Sequence, residues 1–189
     1  MILRTVRNQI SDKRVQSSVF GILGQNVLCS MSTVGPKNRA HINTAYFAYS
    51  PELELYFLSD SDSRHCRNLL RNPSMAIAVF SSSQEWSGHD RGIQLFGTCR
   101  RPRGRDAERA EHAYGDRFAA YGEWLRGTRE ADRTRVARLR SYAFYRFLPT
   151  DVKILDEREF GAVFVVASVP TRGDPESARR SRAGPPRRA

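Results

Sequence analysis

Three β-prone segments lie one after another between residues 27 and 59, separated only by short turns. They are VLCSMSTV at 27–34, AHINTAYFAY at 40–49 and LELYFLS at 53–59, and Gly35-Pro36 and Ser50-Pro51 supply the turn signals. Connections this short cannot contain a crossover helix, so consecutive strands have to run antiparallel. The arrangement therefore predicts an antiparallel meander and argues against a doubly wound parallel sheet.

The rest of the chain adds further strands and a few helices. Helical periodicity predicts a helix at 12–23, with Asp12 as its N-cap and Gly24 as its stop. A short helix within 60–73 starts near Ser63 and turns Leu69 and Leu70 inward, and the longest helix covers 106–126 and is closed by Gly127. Strands are predicted at 75–83, 91–100, 142–148, 151–155 and 161–169, of which 142–148 and 151–155 are either separate or one bent strand. We therefore expect a mainly β (α+β) fold, an antiparallel barrel with appended helices.

The chain divides by composition into a domain at 1–169 and a tail at 170–189. The tail is rich in Pro, Gly, Ser and Arg, cannot bury enough apolar area to fold, and is predicted to be disordered. The formal net charge is +11, and arginines concentrate in the tail and at 100–140. Nucleic-acid binding is one interpretation. A solvated basic face is preferred, because these arginines lack interleaved exposed aromatic side chains.

The sequence carries no sign of a targeting or membrane segment. The N-terminal stretch MILRTVRNQISDKRVQ lacks the apolar core of a secretory signal, and no apolar run reaches the roughly 18 residues of a membrane helix. The three cysteines lie far apart without a CxxC motif, so they are interpreted as reduced. We expect a cytoplasmic protein without a metal site.

A candidate anion site follows the third strand. The strand ends at Ser59, and the polar loop after it opens a helix near Ser63, with Arg64 and His65 in the first turn. The free N–H groups of a helix start attract anions, and an arginine there offers a bidentate fork suited to phosphate. The alternative is a solvated first turn whose charge Asp60 and Asp62 balance.

Two other strands carry polar residues among apolar ones. In AHINTAYFAY, His41 and Asn43 share a face with Ala45 and Phe47, and they point either outward or at a ligand. In RGIQLFG, Gln94 lies beside Gly92, where its amide can read the edge of a heterocycle. The alternative for this second strand is an edge strand with a bulge at Gly92.

The segment YFLSDSDSRHCRNLLRNPSMAIAVF, followed by RGIQLFG, resembles the FMN-binding split barrel of the pyridoxamine-5′-phosphate oxidase-like superfamily over about residues 18–157. The resemblance implies a six-stranded antiparallel split barrel and a homodimer with two FMN sites at its interface. Carried over residue by residue, it implies phosphate binding by Ser59, Ser63, Arg64 and His65. It further implies contacts with the flavin and its ribityl chain by Asn43, Thr44, Ala45, Tyr46 and Gln94.

Two departures from the family pattern limit what the resemblance implies. The tryptophan and paired arginines that hold the vitamin substrate are not evident, so we do not expect the vitamin enzyme itself. His65, only partly charged near neutral pH, stands where the family has a phosphate-binding lysine. The resulting prediction is a flavin-dependent oxidoreductase acting on a small molecule, with no catalytic side chain identified. The alternative is a non-catalytic flavin or haem carrier, since relatives of this fold also bind deazaflavin or haem.

Overall fold

The computed structural model describes residues 4–126 and 133–170. Within them the strands are β1 Arg4–Gln9, β2 Leu28–Val34, β3 Ala40–Tyr49, β4 Leu55–Ser59, β5 Ser74–Phe80, β6 Arg91–Arg100, β7 Ala143–Asp156 and β8 Val163–Ser168. The helices are α1 Lys13–Gln25, α2 Arg64–Arg71, α3 Arg105–Arg117, α4 Ala119–Arg126, α5 Arg133–Ser141 and α6 Glu157–Phe160. Not one of these helices is both long enough and apolar enough to cross a membrane.

Six of the strands close into an antiparallel barrel in the order β4-β3-β2-β5-β6-β7, and β7 then returns to β4. Closure depends on the length of β7. Its start pairs with β4, as in Phe57 opposite Tyr145, while most of its length pairs with β6, as in Gln94 opposite Lys153. The predicted six-stranded barrel is confirmed, and the two segments at 142–148 and 151–155 are one strand.

Two strands lie outside the barrel. β8 pairs antiparallel with the second half of β7, and β1 pairs in parallel with β8. The sequence did not predict β1, because RTVRNQ is polar and mostly exposed. Its backbone pairing with β8, not a buried face, makes it a strand.

The barrel interior is filled by the alternate residues of its strands. Met31, Phe47, Phe57, Ile77, Leu95 and Ile154 are among the buried side chains of the core. Helix α1 adds Val15, Val19, Ile22 and Leu23 from its apolar face. The outer face of the sheet is therefore left to solvent or to other elements.

The predicted N-cap of α1 is confirmed, and its predicted stop is wrong. The Asp12 carboxylate accepts hydrogen bonds from the amides of Arg14 and Val15, as an N-cap should. Helix α1 nevertheless continues through Gly24 to Gln25 and ends at Asn26 in an extended conformation. Asn26 ends it by a side-chain hydrogen bond of its own, from Nδ2 to the carbonyl of Ile22 at 2.7 Å.

The longest predicted helix is divided into α3 and α4 at Phe118. This residue is not helical (φ −122°, ψ 83°), and its ring packs against Tyr114 at 4.7 Å and Tyr46 at 5.8 Å. Packing against β3 thus overrides helical periodicity. Gly127, the predicted stop, lies outside the described residues.

Leu69 and Leu70 were both predicted to face inward from α2, and the prediction is correct for Leu69 only. Leu69 is buried, but Leu70 is 81% exposed, because a helix of two turns buries only one stripe. The sequence also missed α5, a strongly basic helix whose polar residues hide the apolar period. Of the tail predicted at 170–189, residues 171–189 lie outside the described residues.

Candidate functional site

The start of α2 is held by a tight turn that follows β4. The carbonyl of Asp60 accepts from the Ser63 amide at 3.1 Å, and the Asp60 carboxylate accepts from the Asp62 amide at 2.9 Å. Ser63 then occupies the N-cap position of a helix that ends at Asn72, before Pro73. The sequence correctly located this helix start and its polar turn.

Ser63 does not cap its own helix. Its side chain accepts no bond from the first turn, and its Oγ instead lies 3.2 Å from Nε2 of His65. Ser59, the last residue of β4, places its Oγ 2.7 Å from the same nitrogen. The first-turn N–H groups of α2 therefore lack the usual serine acceptor and are free to bind an anion.

His65 is buried between two other rings. Its side chain is 6% exposed, with the His41 ring stacked at 6.4 Å and the Phe57 ring at 6.3 Å. Burial lowers the pKa of His65, and the neighbouring His41 lowers it further, against the opposing effect of Asp60. The ring is therefore neutral near pH 7. A neutral ring is a weaker anion ligand than the ammonium of the lysine found at this position in the family pattern.

Arg64 is the cation that the helix start presents to solvent. Its side chain is exposed and makes no hydrogen bond or ion pair with any residue in 4–126 or 133–170. A positive charge in the first turn opposes the helix dipole, so the arrangement costs stability unless an anion lies beside it. The structure thus brings Ser59 and Ser63 together at Nε2 of His65, with Arg64 beside them in sequence at the first position of α2.

The predicted flavin-contacting segment of β3 is divided between two faces. Asn43 and Ala45 lie on the inward face with His41, whereas Thr44 and Tyr46 point outward. Thr44 continues across the sheet through Ser30 and Ala78 to Gln94. Three strand spacings separate the ends of this row, so the path from Thr44 to Gln94 along the curved sheet is about 14 Å.

Gln94 lines a cavity of about 330 Å³ on the outer face of β5, β6 and β7. Opposite it in register is Lys153, whose ammonium lies 3.9 Å from the centre of the Phe164 ring. Sequence reasoning missed Lys153, because only the pairing of β6 with β7 makes it a neighbour of Gln94. The alternative of an edge strand with a bulge at Gly92 is wrong: β6 pairs on both sides, and its irregularity lies at Gly97.

The outer face of β3, β2, β5 and β6 exposes large apolar side chains around a centre of small ones. The centre consists of Ser30, Ser32, Ala76 and Ala78. The exposed hydrophobic residues around it are Leu28, Ile42, Tyr46, Phe80 and Phe96. An apolar surface of this kind is typical of a contact with another protein surface.

Two buried ion networks hold the barrel together near its ends. Arg91 donates to both oxygens of Asp156 at 3.0 Å, and Ser18 donates to the same carboxylate at 2.7 Å. Burial raises the pKa of Asp156, but the bonds from Arg91 and Ser18 outweigh it, and the pKa lies below its ordinary value. Arg146 donates to both carboxylate oxygens of Glu54 in the same bidentate way. These hydrogen bonds also outweigh burial and lower the pKa of Glu54. Both carboxylates are paired and structural.

The family model for pyridoxamine 5′-phosphate oxidase matches residues 18–155. No curated protein matches the chain.

Three solved structures show the same fold at low identity. A heme binding protein from Mycobacterium smegmatis has a TM-score of 0.60 at 15% identity, covering 78% of this chain and 55% of that one. The chain thus spans little more than half the length of that relative. The heme storage protein HutZ from Vibrio cholerae has a TM-score of 0.54 at 16% identity, covering 75% and 91%. A Clostridium acetobutylicum protein of the pyridoxinephosphate oxidase family, related to general stress protein 26, has a TM-score of 0.57 at 11% identity, covering 82% and 94%.

Proposed function

Since the chain belongs to the pyridoxamine 5′-phosphate oxidase family, we propose that it binds FMN, with the cofactor's phosphate at the start of α2. The observation that carries the proposal is the uncapped helix start. Ser63 leaves the first-turn N–H groups without its side chain, and Arg64 has no partner among the described residues. A phosphate satisfies both groups at once.

The residues at this point fit a phosphorylated cofactor. Arg64 would hold the phosphate through its guanidinium, and the Ser59 and Ser63 hydroxyls, both within reach of His65, would add donors. Asn43 on the inward face of β3 would lie along the ribityl chain. Bound FMN supplies the redox chemistry, while the protein positions it.

We further propose that the protein forms a homodimer through the outer face of its sheet. The outer face of β3, β2, β5 and β6 presents Ile42, Tyr46 and Phe96 to solvent, and a second copy would cover them. Within one chain, Gln94 and Thr44 lie at opposite ends of one row across four strands. A two-fold contact through this face would let Gln94 of one subunit approach Thr44 of the other. Such an obligate interface buries about 2,000 Å² or more.

With FMN bound, the activity we propose is that of a flavin-dependent oxidoreductase acting on a small molecule. A second candidate is non-catalytic haem binding. It is favoured by the solved structures described as a heme binding protein and a heme storage protein. The two candidates differ in the chromophore that the protein retains.

The absorption spectrum of the purified protein tests this proposal, together with the mass of any ligand released on denaturation. A flavin spectrum with the mass of FMN supports it, and consumption of a nicotinamide cofactor with turnover distinguishes an enzyme from a carrier. A haem spectrum, with no flavin taken up on incubation with FMN, would overturn it in favour of the second candidate.

A further inference from the structure

We propose that binding of the phosphorylated ligand is coupled to uptake of one proton by His65, with the Ser63 hydroxyl linking the ring to the phosphate. This inference rests on the proposed function, because it concerns the same helix start. It goes further in assigning His65 a role that differs from that of a permanently charged lysine.

The geometry that links the ring to the ligand is the pair of hydroxyls at Nε2. Ser59 Oγ lies 2.7 Å and Ser63 Oγ 3.2 Å from this nitrogen. When Nε2 is unprotonated, it accepts from these hydroxyls, and Ser63 turns its lone pairs toward the ligand side. When Nε2 carries a proton, it donates to them, and the Ser63 hydrogen is free to point at a phosphate oxygen. When the neutral ring carries its proton on Nδ1, uptake of a second proton at Nε2 thus turns Ser63 from an acceptor toward the ligand into a donor toward it.

The position of Ser63 supports this role over a purely structural one. An N-cap serine ordinarily accepts a bond from the second or third amide of its helix. Ser63 occupies the N-cap of α2 with an extended backbone but makes no such bond. Its hydroxyl is therefore engaged with His65, on the side where the helix start is open.

The charges around His65 determine when it takes up the proton. His41 faces it from β3, Asp60 lies in the preceding turn and Arg64 precedes it on α2. Cys99 of β6 and Tyr145 of β7 interact with the next residue, Cys66. Without ligand, burial and His41 keep the ring neutral near pH 7, since the pKa is below its ordinary value. A phosphate adds a nearby negative charge, which favours the protonated ring.

The stacked His41 ring opposes a positive charge on His65. The two ring centres are 6.4 Å apart, and His41 lowers the pKa of His65 together with burial. A phosphate at the helix start would act in the opposite direction, since its negative charge favours the protonated ring.

The experiment measures the dissociation constant of FMN from pH 5.5 to 8.5 by flavin fluorescence, for wild type, His65→Gln and Ser63→Ala, with riboflavin as the matched ligand. Wild-type affinity for FMN is expected to rise toward low pH more steeply than that of His65→Gln, by up to about tenfold per pH unit. Both proteins bind the same FMN, so titration of its phosphate cancels in the comparison. Ser63→Ala should resemble His65→Gln, and riboflavin should show no such difference.

Equal pH slopes for wild type and His65→Gln, with FMN bound by both, would overturn the inference and leave the proposed function standing. Absence of FMN binding at every pH would overturn both. If His65→Gln does not fold, the NMR titration of the His65 ring in wild type decides: its pKa must rise when FMN is added, and an unchanged pKa contradicts the inference.

Discussion

The guanidinium of Arg91 binds both carboxylate oxygens of Asp156 at 3.0 Å, joining the start of β6 to the end of β7. The carboxylate is 2% exposed and also receives the hydroxyl of Ser18 from α1. One carboxylate thus joins three elements that are distant in sequence.

Asp156→Asn should therefore lower the free energy of unfolding by about 3 kcal/mol, because it leaves Arg91 without its buried partner. Urea denaturation measures the change. Glu159→Gln is the control: it removes an exposed ion pair with Arg14, whose loss should cost less than about 1 kcal/mol. Equal losses in the two variants would show that the Asp156 network does not stabilise the barrel.

Stability without ligand should depend on pH through His65. The pKa of this ring is lowered below its ordinary value of 6.5 in the folded state, so the unfolded chain binds the proton more readily. Its contribution is fully present above pH 6.5 and is lost as pH falls through the lower folded pKa. Thermal melts from pH 7.5 to 5.5 should show a larger decrease in Tm for wild type than for His65→Gln. The same decrease in both would contradict a buried neutral ring.

The dimer proposal predicts that Ala78→Arg gives a folded monomer. Ala78 lies in the small-residue centre of the outer face, where a long charged side chain would hold two copies apart. Leu70→Arg is the matched control, since Leu70 is also apolar and exposed but lies on α2, outside that face. Light scattering should give a dimer for wild type and Leu70→Arg only. A dimer in all three would place the interface elsewhere.

Gly97→Ala should destabilise the barrel by about 1–3 kcal/mol, because a methyl group there overlaps the backbone of the facing strand. The added carbon would lie 2.7 Å from Cα of Pro149 and closer still to the Leu148 carbonyl, at the irregularity between β6 and β7. Gly115→Ala, in helix α3 with open space around it, should instead stabilise by about 0.5–1 kcal/mol. Denaturation curves that fail to separate the two variants would contradict the close approach at Gly97.

Much of the fold could be predicted from local patterns. Alternation and turn signals gave the strands from β2 to β8, and the side-chain chemistry of Asp12 gave the start of α1. The break at Phe118 could not be predicted, since it depends on packing against Tyr46 from a distant strand. Nor could β1, whose polar sequence has no period and whose pairing partner follows more than 150 residues later.

In the candidate site too, features set by neighbouring residues could be predicted and features set by tertiary packing could not. The order Ser59, Ser63, Arg64, His65 located the start of α2, to which we assign the phosphate, because those residues are close in sequence. His41 meets His65 because α2 packs beside β3, and Gln94 faces Lys153 because of the register between β6 and β7. The direction of the Ser63 hydroxyl depends on the buried ring it meets, which spacing alone does not reveal.

Titration of wild type and Arg64→Ala with FMN and with riboflavin tests the central claim most directly. Arg64 is exposed at the first position of α2, so replacing it with a good helix former leaves the fold intact. Loss of a charge-assisted contact to phosphate should weaken FMN binding roughly ten- to 150-fold. Riboflavin lacks the phosphate, so its affinity should barely change. Equal losses for both ligands, or no loss for either, would contradict a phosphate site at the start of α2.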